Sequence, residues 1–252
     1  MKKGLQVILI LLVLIIPIFT YAQSSDDTFT STASLFTIGS GARPLGMGNA
    51  FVALADDGNA LLYNPAGLAF LEEPELTSFY CNQYNTFNYG TVGVAGTSIG
   101  ISYLHLSTGV MDKRNLYGEK IGEFSYTSRG LIGAYAKSFG NLSFGLQGKA
   151  YLSDDPVSAY GTSLTPGILY RVKSFQVGAV FKNLVAADIQ YEDHEEPWVK
   201  EAVTGIAYKG KRFRADLDFE AGLHKRGIKP NLARIGIEGK LYPQLMIRAG
   251  MT

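Results

Sequence analysis

Residues 212–221 read RFRADLDFEA, and polar and apolar side chains alternate through the whole stretch. The polar positions are Arg212, Arg214, Asp216, Asp218 and Glu220. The apolar positions are Phe213, Ala215, Leu217, Phe219 and Ala221. A period of two places successive side chains on opposite faces, so this stretch predicts a β-strand with one wet face and one dry face.

The same period continues along the chain, for example at 142–151, 174–182 and 234–241. No amphipathic helix of normal length interrupts it after Pro74. The pattern predicts an all-β fold of eleven strands. Their expected bounds are 75–83, 87–95, 98–107, 122–138, 141–152, 161–172, 174–184, 200–209, 212–222, 231–241 and 244–251.

The connections between these strands alternate in length. Longer polar connections fall at 107–122, 152–161, 184–200 and 222–231, and most of the others are tight turns. Alternating long loops and short turns are typical of outer-membrane barrels. The apolar faces run over about ten residues, as a tilted membrane-spanning strand requires. Alternation alone also fits a soluble β-sandwich, whose apolar face packs on a second sheet. We therefore expect a transmembrane antiparallel β-barrel and keep the sandwich as an alternative.

The first 22 residues have the features of a signal peptide. Two lysines precede the apolar run from Leu5 to Phe19, and Thr20-Tyr21-Ala22 supplies small residues before a cleavage point. The run is shorter than the roughly 20 residues of a spanning helix. We expect export by a cleaved signal peptide at 1–22, an N-terminal hatch or plug segment at 23–73, and barrel strands at 74–252.

Composition excludes several functional classes. Lys and Arg total 23 against 22 Asp and Glu, so the chain lacks the basic excess of a nucleic-acid binder. One cysteine excludes an intrachain disulfide framework and a multi-cysteine zinc site. We expect no metal, no cofactor and no nucleic-acid partner.

Residues 39–70 do not alternate and are rich in glycine and alanine. Pro44 suits a first helical turn, which predicts a thin helix from Pro44 to Ala55. Asn64 precedes a proline and is suited to capping a short helix through Ala66-Gly67-Leu68. The segment could be an irregular cap on a soluble domain or a plug inside a barrel lumen.

The residues of this segment carry a family resemblance. The stretch GARPLGMGNAFVALADD at 41–57, followed by NPAGL at 64–68, resembles the N-terminal signature of the PorV/PorQ family. These outer-membrane proteins are similar to the FadL fatty-acid transporters and are associated with type IX protein secretion. The resemblance implies a FadL-like barrel of 14 strands with a short helical N-terminal hatch. Because the residues supply only about eleven strands, we expect a barrel truncated at its C-terminal end.

The resemblance also implies which residues form the hatch and what the protein does. The expected hatch or lumen-plug residues are Gly41, Ala42, Arg43, Gly46, Met47, Gly48, Ala50, Phe51, Asp56, Asp57, Asn64, Pro65, Ala66 and Gly67. The implied role is a non-enzymatic accessory or shuttle in type IX secretion, with outer-membrane lipid, translocon components and secreted cargo as partners. A transporter with a hydrophobic ligand in the lumen is the alternative, and a soluble periplasmic β-sandwich binding module is a third.

Two local signals for chemistry are weak. Residues 96–100 read GTSIG and match the G-x-S-x-G nucleophile motif, but they lie between two strands, whereas that motif requires a strand followed by a helix. The acidic stretch 191–196 around His194 has oxygen ligands for a cation, although a solvated loop explains it better. We expect no catalytic residues. The charged face at 212–218 is expected to form a self-neutralising lumen wall.

Overall fold

The computed structural model describes residues 35–83, 87–155, 157–224, 227–242 and 244–252. The predicted signal peptide at 1–22 and residues 23–34 of the predicted hatch lie outside the described residues. The helical elements are two short α-helices, α1 (Ala42–Gly46) and α2 (Ala60–Tyr63), and a 3-10 helix (Pro65–Phe70). In this part of the chain no helix has both the length and the hydropathy needed to cross a membrane.

Fifteen strands follow the helices. They are β1 (Glu75–Gln83), β2 (Phe87–Ala95), β3 (Ile99–Thr108), β4 (Met111–Arg114), β5 (Lys120–Phe124), β6 (Thr127–Phe139), β7 (Leu142–Asp155), β8 (Ala159–Val172), β9 (Phe175–Lys182), β10 (Val185–Gln190), β11 (Glu195–Glu196), β12 (Glu201–Lys209), β13 (Phe213–His224), β14 (Gly227–Tyr242) and β15 (Leu245–Met251).

Eleven of these strands form one continuous antiparallel wall. Its order is β1-β2-β3-β6-β7-β8-β9-β12-β13-β14-β15, so every wall strand pairs with its neighbour along this path. The β10–β11 hairpin pairs through β10 with the first half of β8, whose second half pairs with β9, and β4–β5 forms a separate two-stranded hairpin. Among the described residues, β1 and β15 each pair with one neighbour.

The prediction of eleven period-two strands is confirmed, and β1 and β2 have the predicted bounds. The predicted strand 122–138 is wrong, because its first residues belong to β5 and the wall strand begins at Thr127. The chain leaves β5 and enters β6 at Tyr126, which pairs with Thr108 at the base of the β4–β5 hairpin. The Thr108 amide donates to the Tyr126 carbonyl and the Tyr126 amide to the Thr108 hydroxyl. The long connections predicted at 152–161 and 222–231 are also wrong, since strands occupy most of both.

The wall is apolar outside and polar inside. Ile101 is 55% exposed while its neighbour Ser102 is 3% exposed, and Leu146 is 48% exposed while Gln147 is 1% exposed. A soluble sandwich would bury the apolar face against a second sheet. Here the apolar face is the uncovered one, over a far larger area than a soluble monomer exposes. The sandwich alternative is therefore wrong, and the fold is a β-barrel of the membrane type.

The polar face wraps around residues 35–71, hereafter the interior segment. Hydrogen bonds or close approaches join this segment to each of the eleven wall strands. On β2, for example, the Thr91 hydroxyl lies 2.5 Å from that of Ser40; on β7, Gln147 donates to the Leu61 carbonyl at 2.6 Å. Because the first, last and intervening strands all contact one short segment, the sheet must curve around it.

Small residues on the wall allow this close fit. Seven glycines lie where a side chain would overlap with a neighbouring atom of the segment or of its anchors, namely Gly130, Gly145, Gly167, Gly178, Gly205, Gly236 and Gly250. At Gly145, an added Cβ would overlap with the backbone of Pro65 and Ala66. Backbone atoms cannot move aside as a flexible side chain does, so this position accepts only glycine.

We expect Gly145→Val to displace the 3-10 helix and to destabilise the barrel by about 1–3 kcal/mol, the usual effect of overpacking. The matched control is Gly133→Val on the adjacent strand, where an added Cβ would have open space within 4 Å. Valine favours strands, so the control should unfold at or above the original temperature. Heat-dependent gel mobility of the detergent-solubilised protein measures the unfolding temperature of each variant. Equal unfolding midpoints for Gly145→Val and Gly133→Val would contradict the packing argument.

Candidate functional site

The interior segment and the space that it leaves in the lumen form the candidate site. The segment runs through α1, a series of turns, α2 and the 3-10 helix. The predicted helix from Pro44 to Ala55 is wrong: α1 ends at Gly46 and turns follow. Gly48 and Asn49 both have a φ of 62°, in the left-handed region that a right-handed helix cannot contain.

Two carboxylates on the wall replace the helical hydrogen bonds of this stretch. Asp218 of β13 accepts the amides of Phe51 at 2.8 Å and Val52 at 3.0 Å, and Asp216 accepts the amide of Leu54 at 2.9 Å. Asp216 and Asp218 are both almost fully buried. These two side chains therefore hold the backbone of 51–54 against the wall.

A cluster of charges centred on Arg43 fixes the start of the segment. The Arg43 Nη1 lies 2.7 Å from both Asp56 Oδ1 and Asp57 Oδ2, and its Nε lies 3.0 Å from Glu238 Oε2 on β14. Burial by itself would raise the pKa of Asp56, but the positive charges of Arg43 and Lys209 outweigh it and hold that pKa below 3.8. Asp56 is thus ionised at neutral pH and closes the segment on itself through Arg43.

Glu238 joins the segment to three strands. Its side chain is fully buried, and besides Arg43 it accepts from Arg214 of β13 at 3.0 Å and Arg248 of β15 at 2.6 Å. A buried carboxylate requires such compensation, because an uncompensated one costs several kcal/mol. The sequence predicted that Arg214 would be neutralised by Asp216 and Asp218. This expectation is wrong for those carboxylates, which bind backbone amides, and Arg214 pairs with Glu238.

Asn64 secures the other end of the segment. Its Oδ1 accepts the Ala66 amide at 3.1 Å, so it caps the 3-10 helix from Pro65, as the sequence predicts. Its Nδ2 donates to the carbonyls of Val52 at 2.8 Å and Ile168 at 3.1 Å. One buried amide therefore ties the helix both to the preceding turn and to β8.

The remaining predicted residues pack around these anchors. Met47, Ala50 and Phe51 are fully buried, and the Phe51 ring lies 5.7 Å from that of Tyr63 and 5.1 Å from the Arg43 guanidinium. Gly41, Pro65, Ala66 and Gly67 are buried as well, Gly46 approaches Arg248, Gly48 approaches the backbone of Met251, and Ala42 is exposed.

Between the segment and the wall lies a cavity of about 140 Å³ that the sequence did not predict. Its charged lining consists of Lys149, Lys182, Glu201, Glu220 and Arg234. Phe36 contributes an aromatic ring to the lining, and this ring lies 5.7 Å from that of Trp198 and 6.5 Å from that of Tyr151. Each of these charged residues occupies a polar position of an alternating strand. This position is the sequence signal from which a lumen-facing charge could have been predicted.

A second, open groove of about 430 Å³ lies at the same end of the barrel, beside the β4–β5 hairpin, and its accessible lining is apolar. It is formed by Thr108, Met111, Phe124, Tyr126, Ser153, Val157 and Tyr191. Residues far apart in sequence build it, and two of the apolar side chains of the hairpin, Met111 and Phe124, form one side. Such a groove suits a hydrophobic molecule, because no charged group has to lose its water when the groove is filled.

The two weak chemical signals lie apart from the lumen. Ser98 is in the tight turn between β2 and β3 with a φ of 78°, and a strand follows it. His194 is exposed, and its ring donates a hydrogen bond to the Asp193 carboxylate, which raises the pKa of His194. Within the described residues, no group of three acidic, histidine or cysteine side chains is arranged to hold a metal ion.

We expect Asp218→Ala to release residues 51–54, because two buried amides lose their acceptor at a cost of about 1–3 kcal/mol each. Amide hydrogen exchange of residues 50–55 should accelerate in this variant. Asp218→Asn keeps one acceptor oxygen, so its exchange rate should lie between those of the unaltered protein and the Asp218→Ala protein. Asp188→Ala, at an exposed aspartate of β10, is the control. Unchanged exchange in the Asp218→Ala protein would contradict an anchoring role.

Comparison with known proteins identifies the fold. The crystal structure of the Pseudomonas putida toluene transporter TodX matches with a TM-score of 0.55 and 14% sequence identity, over 84% of this chain and 82% of that chain. No family model and no curated protein matches the chain. The chain therefore has a FadL-like barrel fold, and its likeness to the PorV/PorQ family depends on residues 41–68 alone.

Proposed function

We propose that this protein is an integral β-barrel of the bacterial outer membrane, exported by a cleaved signal peptide, with no enzymatic activity. The exposed apolar face of the wall supports membrane insertion, since an outward apolar band on alternating strands is the surface that a membrane β-barrel presents to lipid. The similarity of the fold to that of a known transporter supports the same location. Outer-membrane lipid is then the first partner of the chain.

We further propose that the barrel takes up hydrophobic small molecules. The observation that carries this proposal is the open apolar groove between the β4–β5 hairpin and the barrel mouth. Its volume of about 430 Å³ lies in the range of small-molecule sites. A hydrophobic molecule would be collected there before it enters the lumen.

We infer that the interior segment closes the way through the lumen, because it contacts each of the eleven wall strands. Passage thus requires the segment to shift. The contacts that must then break are the hydrogen bonds from backbone amides to Asp216 and Asp218 and the ion pairs of Arg43. These are polar contacts with discrete geometry, so the segment has a defined closed position. A ligand could favour the open position only by binding it more tightly than the closed one.

A second candidate function is an accessory or shuttle role in type IX protein secretion, as in the PorV/PorQ family. It is favoured by one observation, the signature at 41–57 and 64–68, whose residues Arg43, Asp56 and Asn64 form the anchors of the interior segment. In that role the barrel is a membrane-held scaffold, the lumen stays closed, and the partners are translocon components or secreted cargo.

Uptake through the groove predicts that Phe124→Asp reduces entry of a hydrophobic probe. Cells that depend on this protein should accumulate radiolabelled toluene or oleate several-fold more slowly, because a carboxylate in the groove must be desolvated when the probe binds. Leu116→Asp is the matched control, since Leu116 is fully exposed in the loop of the same hairpin. Equal uptake by both variants would contradict the role of the groove.

The secretion role predicts a different phenotype. Deleting the gene should leave the normally secreted proteins inside the periplasm, and the Phe124→Asp protein should restore their release. Quantitative proteomics of the culture medium measures this, with affinity purification of the barrel to test for translocon components. Normal secretion in the deletion strain would exclude the secretion role, and it would not count against the proposed uptake function.

A further inference from the structure

The charges that line the lumenal cavity do not balance. Three cationic side chains, Lys149, Lys182 and Arg234, face two carboxylates, Glu201 and Glu220. These are all the charged groups among the described lining residues. The cavity lies between the interior segment and the wall, so bulk water screens this excess positive charge less than at an open surface.

Two of the cations are neutralised within the cluster. Lys182 lies 2.9 Å from Glu201 and 2.7 Å from Glu220, and Arg234 lies 2.9 Å from the same oxygen of Glu220. Both carboxylates are thereby engaged with these two cations. The charge that remains belongs to the third.

Lys149 is this third cation. Its hydrogen-bond partner in the described structure is a neutral oxygen, Asn183 Oδ1, at 3.2 Å, and its ammonium lies 5.6 Å from the Phe36 ring. Lys149 is only 9% exposed. An ammonium has three donors and no acceptor, so the Asn183 contact leaves donors for a further, negatively charged partner.

Asn183, which accepts the hydrogen bond from Lys149, is itself held by several contacts. It lies between β9 and β10 with a φ of 53°, its amide donates to Thr165, and its side chain contacts Ser163 and the Val199 carbonyl. Three further hydrogen bonds therefore orient Asn183, and its Oδ1 is the atom that accepts from Lys149.

The rest of the lining limits the size and character of the ligand. Apolar side chains, among them Leu104, Ile132, Val180 and Val203, share the cavity with the charges. Its volume of about 140 Å³ is close to that of an engineered cavity of roughly 150 Å³ that binds benzene. The cavity thus suits a molecule of about six heavy atoms with one charged end and one apolar end.

We propose that this cavity binds one short monocarboxylate, whose carboxylate pairs with Lys149 and whose apolar end lies among the aliphatic side chains. An inorganic anion such as phosphate would leave the aliphatic lining without a partner. A long-chain carboxylate exceeds the volume. Binding is a property of the closed barrel and does not depend on uptake through the groove.

The test measures binding of butyrate to the purified, full-length protein in a non-ionic detergent by calorimetry at constant ionic strength. Butyramide has nearly the same shape without the charge. We expect butyrate to bind at least about tenfold more tightly than butyramide, the effect of a hydrogen bond between charged groups. This comparison uses the unaltered protein, so it holds even where a variant fails to fold.

Lys149→Met should remove the preference for butyrate over butyramide, whereas Lys137→Met, at an exposed lysine of β6, should keep it. Equal affinity for butyrate and butyramide, or a preference that survives Lys149→Met, would overturn the proposal. So would tighter binding of phosphate than of butyrate, or binding of decanoate without binding of butyrate, since either result assigns the cavity to another ligand. Loss of uptake in the Phe124→Asp cells has no bearing on these measurements.

Discussion

The structure depends on how the buried backbone of the interior segment obtains its hydrogen bonds. Residues 50–54 lie inside the barrel, away from water, and do not form the regular helix that would satisfy their amides internally. Asp216 and Asp218 supply the acceptors from β13. Without these acceptors each buried amide would cost about 1–3 kcal/mol. The wall and the segment therefore specify each other, and neither is complete alone.

The same constraint explains the polar interior of the wall. Buried charges are costly when they are unpaired, and the residues around Arg43 and Glu238 form a network of ion pairs that links the segment with β13, β14 and β15. A buried ion pair is weak support for stability but strongly resists removal of one partner. These pairs consequently define one position for the segment. Movement of the segment would have to exchange all of them together.

The barrel has two chemically different spaces at the same end. The outer groove is apolar and open, whereas the inner cavity lies between the segment and the wall and contains Lys149, which has no carboxylate partner among the described residues. The Phe36 ring lines the inner cavity and packs against Trp198. The separation indicates that the two spaces accept different molecules, and it is why groove variants and cavity variants test independent properties.

The sequence by itself determined the wall. Alternation at 75–83 and 87–95 predicted β1 and β2 with their observed bounds, because a period of two is a local property of the chain. The cap by Asn64 was predictable for the same reason, since its acceptor and its donor are two residues apart. Only the tertiary structure decided the conformation of 44–55 and the cavity around Lys149. Both depend on side chains brought together from strands more than thirty residues away in sequence, and no local pattern records which amides or charges will meet across a lumen.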